Sequence, residues 1–140
     1  MRYFEATSKI EASPDAVWAI LVDGTTWKDW DSGVEGVEGE IAPGNTIKIR
    51  SQAAPGRTFP VKVSGFEPPR RLTFSGGMPL GLFKGVRTYA LTPEDGTTTF
   101  HMREEYVGPL APLVWRSIPD LSPSFNRFAE GLKRRVESSG

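Results

Sequence analysis

The chain has 140 residues, no cysteine, and 17 basic against 17 acidic side chains. This length is typical of one domain with a sizeable core, so we expect residues 1–140 to form a single domain. The lack of cysteine excludes disulfides, thiolate catalysis and cysteine-based metal sites. The balanced charge gives no reason to expect a nucleic-acid partner.

The distribution of apolar residues indicates in which cellular compartment the protein is expected. No apolar run approaches the ~20 residues that are needed to span a bilayer. The N-terminal residues Met1–Glu5 do not form the apolar region of a signal peptide. We therefore expect a cytoplasmic protein without stable membrane insertion, and the absence of cysteine fits a reducing compartment.

The N-terminal segment combines a strand with two short helices. Residues 2–12 alternate in character, which predicts a half-buried strand whose inner face carries Phe4, Ala6, Ser8 and Ile10. Ser13 can cap a following helix, and Pro14 suits its first position. A second short helix or turn carries Trp27 and Trp30, which we expect to pack, like Trp18, in the core and at its rim.

The middle of the chain predicts strands separated by turns. Glycine and proline clusters such as Pro43-Gly44-Asn45 and Pro68-Pro69 divide it into short segments. The predicted strands are 34–41, 46–52, 58–66, 70–75, 83–92 and 97–107.

The C-terminal part predicts helices. Residues 109–119 favour a short separate helix because Pro119 and Pro123 interrupt a longer one. Ser122-Pro123 predicts the start of an amphipathic helix of about four turns. Its apolar face carries Phe125, Phe128, Leu132 and Val136.

Three sequence segments resemble the START-like (SRPBCC) superfamily, which includes polyketide cyclases and dehydrases and lipid-transfer proteins. They are IEASPDAVWAILVD with the following WKDW, GVRTYALTPEDGTTTFHMREEYVGPL, and FNRFAEGLKRRVE. The resemblance implies an α+β helix-grip fold. In this fold a curved antiparallel seven-stranded sheet wraps around the long C-terminal helix, with two short helices after strand 1 and an apolar cavity between sheet and helix.

The last hairpin predicts which side chains face that cavity. If Thr92 faces Thr97, Arg87 pairs with Met102 and Gly85 pairs with Glu104. Strand alternation then places one mostly apolar set on the concave face: Arg87, Tyr89, Leu91, Phe100, Met102, Glu104 and Tyr106. Arg87 and Glu104 become inward-pointing diagonal neighbours, within reach of a charge-assisted hydrogen bond.

Arg87 and Glu104 have two interpretations. They form either a structural ion pair or the polar anchor of an otherwise apolar ligand pocket. They are also the candidate catalytic residues, with Glu104 as a general acid or base and with Tyr89 or Tyr106 as a further proton-handling group. The candidate ligand-binding residues are Arg87, Tyr89, Phe100, Met102, Glu104, Tyr106, Leu80, Phe83, Trp115, Phe125 and Phe128.

The segment 78–83 is apolar where a connecting loop is normally polar. It either packs onto the end of the core or forms a mobile lip over the cavity, facing a second lip around Leu110 to Trp115. The single histidine, His101, is predicted to point away from the cavity. This direction argues against a serine–histidine hydrolase and against histidine-based zinc chemistry. Asp29 and Asp31 are interpreted as part of a solvated acidic edge, and we expect neither a metal nor a cofactor.

Three functions follow from these observations and the resemblance. The first is binding of a hydrophobic small molecule (a lipid, polyketide or aromatic metabolite) by a carrier or sensor. The second is a cyclase/dehydrase-type enzyme that uses the same cavity, and the third is a protein-interaction domain of the co-chaperone type. The sequence predicts neither the ligand nor the oligomeric state.

Overall fold

The computed structural model describes residues 2–52 and 56–139. Seven strands form one antiparallel sheet in the order β1-β7-β6-β5-β4-β3-β2. The strands are β1 (Tyr3–Ile10), β2 (Val34–Glu38), β3 (Thr46–Ser51), β4 (Thr58–Glu67), β5 (Arg71–Gly77), β6 (Lys84–Glu94) and β7 (Thr97–Val107). The helices are α1 (Pro14–Leu21), α2 (Ala111–Trp115) and α3 (Ser122–Ser139), with short 3-10 helices at Gly24–Asp29 and Pro79–Gly81. The predicted α+β fold, a curved seven-stranded sheet with a long C-terminal helix, is confirmed.

The predicted N-terminal strand and helix cap are present, although β1 covers Tyr3–Ile10 rather than residues 2–12. Along β1 the inner residues Ala6, Ser8 and Ile10 are buried, while the residues between them are exposed. The Ser13 side chain accepts a hydrogen bond from the Ala16 N–H at 3.2 Å, so Ser13 is the N-cap of α1.

The predicted strand over residues 34–41 is too long. β2 ends at Glu38 rather than at residue 41, because Gly39 adopts a φ of +102° that an extended strand does not allow.

The predicted register of the last hairpin is wrong by two positions. Glu94 pairs with Thr97, and Arg87 therefore lies directly opposite Glu104. The turn consists of Asp95 and Gly96 alone, both with positive φ, as in the two-residue turns that match the twist of a hairpin. Because an even shift keeps each side chain on its face, the predicted concave set is unchanged.

Helix α3 begins at Ser122 as predicted but is longer, with 18 residues or about five turns. Hydrogen bonds from more than one of its turns hold the helix along β1. The Ser8 hydroxyl donates to the Ala129 carbonyl at 3.0 Å, and the Lys133 ammonium donates to the Lys9 carbonyl at 2.7 Å. No helix in the described part of the chain combines the length and the apolar character that crossing a bilayer requires.

The core lies between the concave face of the sheet, α1 and the C-terminal half of α3. Trp18 and Trp27 are buried in it, and Trp30 packs against it while partly exposed, as predicted. The Trp27 indole N–H donates to the Leu21 carbonyl at 3.1 Å, so its polar atom is satisfied.

Gly131 of α3 packs closely against the backbone of Asp31. A Cβ added at Gly131 would lie 2.5 Å from the Asp31 carbonyl oxygen, and neither backbone can yield easily. Alanine normally stabilises a helix interior relative to glycine by about 0.5–1 kcal/mol. Here we expect Gly131→Ala to lower the free energy of unfolding by about 1–3 kcal/mol instead.

Chemical denaturation followed by circular dichroism measures this change. Asn126→Ala is the control, because Asn126 is exposed on the same helix and its substitution should alter stability by about 0.5 kcal/mol or less. A Gly131→Ala protein more stable than the wild type would show that the close helix packing is not a constraint.

Candidate functional site

A cavity of about 820 Å³ lies between the sheet and the N-terminal half of α3. Its wall is mainly apolar and includes six aromatic side chains. The principal lining residues are Val34, Ile49, Phe59, Val61, Phe74, Phe83, Arg87, Met102, Glu104, Tyr106, Val114, Ile118, Leu121, Phe125 and Phe128. Ligand pockets of proteins typically have this size and character.

The mouth of the cavity lies where lining residues are exposed to solvent. On the sheet side these are Gln52, Phe59, Pro60 and Gly77, and on α3 they are Ser124 and Arg127. The opening therefore lies between the β3–β4 end of the sheet and the first turns of α3.

The polar groups inside the cavity converge on one carboxylate oxygen. Glu104 Oε2 accepts hydrogen bonds from the Arg87 guanidinium at 3.1 Å and from the Tyr106 hydroxyl at 2.6 Å. The two charged side chains are largely covered, with 26% and 18% of their surface exposed. Both line the cavity, so the predicted mutual contact of Arg87 and Glu104 is present.

Burial and this pairing shift the ionisation of the surrounding groups. Burial acts against the charged form of Arg87, but Glu104 and Tyr89 more than offset it, and the pKa of Arg87 lies above its ordinary value. Burial, and secondly the negative charge of Glu104, raises the pKa of Tyr106. Tyr106 therefore stays a neutral hydrogen-bond donor at neutral pH.

Tyr89 lies beneath the ion pair. Its side chain is fully buried, and burial raises its pKa despite the nearby Arg87 guanidinium. The hydroxyl and Arg87 Nε interact electrostatically, but neither has a well-formed hydrogen bond with any residue that the structure describes.

Two glycines open the wall beside the ion pair. Gly76 and Gly85 are paired across β5 and β6, and both line the cavity. A Cβ on Gly85 would lie 3.3 Å from Glu104 Oε1, and a Cβ on Gly76 would lie 3.0 Å from the Pro60 carbonyl oxygen. Their lack of side chains makes room for the carboxylate and lets the sheet backbone form part of the wall.

A second ionic group lies at the mouth. Asp31 forms ion pairs with Arg127 and with Arg134, the latter at 3.3 Å. The Asp31 side chain is 41% exposed, so it is solvated as interpreted, and its carboxylate also joins the segment before β2 to α3.

The structure separates the predicted ligand-binding residues into two groups. The residues that line the cavity are Phe83, Arg87, Met102, Glu104, Tyr106, Phe125 and Phe128. Tyr89, Phe100, Leu80 and Trp115 do not line it. Tyr89 and Phe100 are buried beneath Phe128, and the Trp115 ring packs behind the wall against Phe4 and Tyr106.

The apolar segment 78–83 lies at the surface. Leu80 is 96% exposed, and Met78 and Leu82 are more than a third exposed. The Leu110 N–H donates to the Leu82 carbonyl at 2.9 Å, so the two segments predicted as facing lips are in direct contact. Only Phe83 extends from this segment into the cavity wall.

His101 points away from the cavity, as predicted. Its imidazole Nε2 lies 2.8 Å from Glu5 Oε1 on the outer face of β1 and β7. Among the described residues, no three histidine, aspartate or glutamate side chains are grouped as metal ligands would be.

The sequence interpretation missed the contribution of β2 to β5. Ile49, Phe59, Val61 and Phe74 supply much of the apolar wall. Alternation within each strand contains this information, since Ile49 pairs with Phe59 and shares its face. What was missing is the cross-strand register that places these faces opposite the first turns of α3.

Comparisons with known proteins agree with this architecture. The family described as "Polyketide cyclase / dehydrase and lipid transport" matches residues 1–137. Among solved structures, a hypothetical protein from Helicobacter pylori has a TM-score of 0.77 at 13% identity, with 96% of this chain and 88% of that chain covered. A START superfamily protein from Mycobacterium smegmatis has a TM-score of 0.72 at 17% identity, with 99% of both chains covered.

A third solved structure is longer than this chain. DynU16, from the dynemicin biosynthetic locus, has a TM-score of 0.72 at 19% identity, and the match covers 98% of this chain and 48% of DynU16. No curated protein matches the sequence. The family match over residues 1–137, together with the sheet and the long C-terminal helix, shows that the chain belongs to the polyketide cyclase/dehydrase and lipid transport family of START-like proteins.

Proposed function

We propose that the protein is a carrier or sensor that binds one hydrophobic small molecule in the cavity between the sheet and α3. The observation that carries this proposal is the cavity of about 820 Å³, whose wall is largely apolar and aromatic. Transfer of an apolar molecule from water into such a space is favourable by roughly 25 cal/mol for each Å² that is buried. Lipids, polyketides and aromatic metabolites have the size and surface that this cavity accommodates.

The position of the mouth supports reversible binding. The exposed lining residues lie on one side, between the β3–β4 end of the sheet and α3. An apolar end of a ligand would reach Phe74, Met102 and Phe128 in the interior. The end of the ligand nearest the mouth would lie beside Gln52, Ser124 and Arg127.

A second candidate function is a cyclase/dehydrase-type reaction in the same cavity. The convergence of Arg87 and Tyr106 on Glu104 favours it, because a cation and a phenol then both lie within hydrogen-bonding distance of one carboxylate. In such a reaction the cavity would hold a flexible chain in a folded conformation, and Glu104 would take or return a proton.

The carrier proposal predicts that a ligand accompanies the protein. Native mass spectrometry of protein purified without organic solvent should give a mass above that of the chain, and denaturation should release a hydrophobic molecule. A wild-type protein that has only the mass of its chain, and that binds no added hydrophobic molecule, would contradict the proposal.

Filling the cavity should abolish binding. Val61 lies on the concave face of β4, and Val61→Trp should place an indole in the cavity and weaken ligand binding about tenfold or more. Lys62→Trp is the matched control because Lys62 is exposed and does not line the cavity. Binding is measured by fluorescence titration of a hydrophobic probe, and equal losses in both variants would argue against this cavity as the site.

The enzymatic alternative has a separate test. If the protein converts a linear polyketide thioester, Glu104→Gln should lower turnover by about 10²- to 10⁴-fold, the range expected for a lost general acid or base. The cavity should keep its shape, since glutamine has nearly the same size as glutamate. Turnover unchanged in this variant, measured by chromatography of the products, would remove Glu104 from any catalytic role.

A further inference from the structure

The charged groups in the interior of the cavity are balanced. Among the described lining residues there, Arg87 and Glu104 compensate each other at 3.1 Å, whereas at the mouth Asp31 is shared by Arg127 and Arg134. A ligand with its own charge would therefore bring an uncompensated charge into an apolar space, which is costly in free energy. A neutral ligand leaves the balance intact.

One acceptor in the interior is left for a ligand. Both hydrogen bonds that Glu104 accepts go to Oε2, from Arg87 and Tyr106. Its second oxygen, Oε1, accepts no hydrogen bond from the residues that the structure describes, and Gly85 has no side chain that would cover it. A carboxylate oxygen in an apolar wall binds an O–H or N–H donor strongly.

Aromatic rings pack against both groups that bond to Glu104. Phe83 is stacked on Tyr106 with the ring centroids 5.9 Å apart, and Phe125 lies 4.8 Å beneath the Arg87 guanidinium. A ligand whose hydroxyl reaches Glu104 Oε1 would place its carbon skeleton against these rings.

From this geometry we infer that the cavity selects uncharged hydrophobic molecules that carry a hydroxyl group, and that Glu104 is the residue that makes the selection. The inference rests on the proposed function, since it concerns which hydrophobic molecules the same cavity accepts. Hydroxylated aromatic molecules satisfy it, whereas carboxylates of the same skeleton, fatty acids among the carboxylates, are disfavoured.

The test compares three fluorescent molecules with one carbon skeleton: pyrene, 1-hydroxypyrene and 1-pyrenecarboxylate. Titration of the wild-type protein at neutral pH should give a Kd for 1-hydroxypyrene about tenfold or more below that for 1-pyrenecarboxylate. Pyrene should bind more weakly than 1-hydroxypyrene, because it has no donor for Glu104.

Glu104→Gln should reverse the preference. Without the carboxylate, Arg87 is uncompensated, and 1-pyrenecarboxylate should then bind more tightly than 1-hydroxypyrene. Glu105→Gln is the matched control, because the same change of charge occurs one residue away at a side chain that bonds Arg103 and does not line the cavity. This variant should keep the wild-type preference.

The outcomes separate the two proposals. If none of the three molecules binds the wild-type protein, both the proposed function and this inference are overturned. If all three bind but the carboxylate binds as tightly as the hydroxyl compound, the inference alone fails. The wild-type comparison decides this even if Glu104→Gln does not fold, and circular dichroism establishes whether it does.

Discussion

The position of α3 decides where this protein has empty space. The helix lies along β1, at one edge of the sheet, through hydrogen bonds of Ser8, Lys9 and Glu11 to successive turns of the helix. Its apolar residues Phe128, Leu132 and Val136 complete the core there. The curved strands β2 to β5 extend beyond the reach of the helix, so their concave face is left to line a cavity.

The pairing of Arg87 with Glu104 explains how the apolar wall of the cavity tolerates two charged side chains. A lone arginine or glutamate in this wall would be expensive to keep desolvated. Their direct pairing across β6 and β7, with the Tyr106 hydroxyl as a second donor, satisfies one carboxylate oxygen and leaves the other without a donor among the described residues. A buried pair of this kind contributes little net stability, whereas removing one partner alone leaves an uncompensated charge in the apolar wall.

Much of this structure could be predicted from local patterns in the sequence. Alternation in β1, the Ser13 cap and the apolar face of α3 each depend on residues close together in the chain, and each was predicted correctly. The concave face of the last hairpin was also correct although its register was not. Side-chain direction depends only on whether the shift is odd or even, whereas the pairing of Arg87 with Glu104 depends on the turn at Asp95 and Gly96.

The remaining features of the site depend on contacts between distant parts of the chain. Tyr89 and Phe100 share the concave face with Arg87, but Phe128 of α3 covers them and not the ion pair. The link from Asp31 to Arg127 joins residues that are 96 positions apart. No periodicity in the sequence encodes such long-range packing, and so the mouth and the β2–β5 wall could not be located before the fold was known.

The glycines in the wall limit how amino-acid substitutions can change the volume of this cavity. At Gly76 and Gly85 the main chain itself is the boundary, and both positions already carry the smallest residue there is. Replacement can only subtract volume at these two points, whereas Val61, Phe74 or Met102 could each be exchanged for something smaller. The cavity can therefore be enlarged for a bulkier ligand only where aliphatic or aromatic side chains line it. At Gly76 and Gly85 the backbone itself fixes the position of the wall.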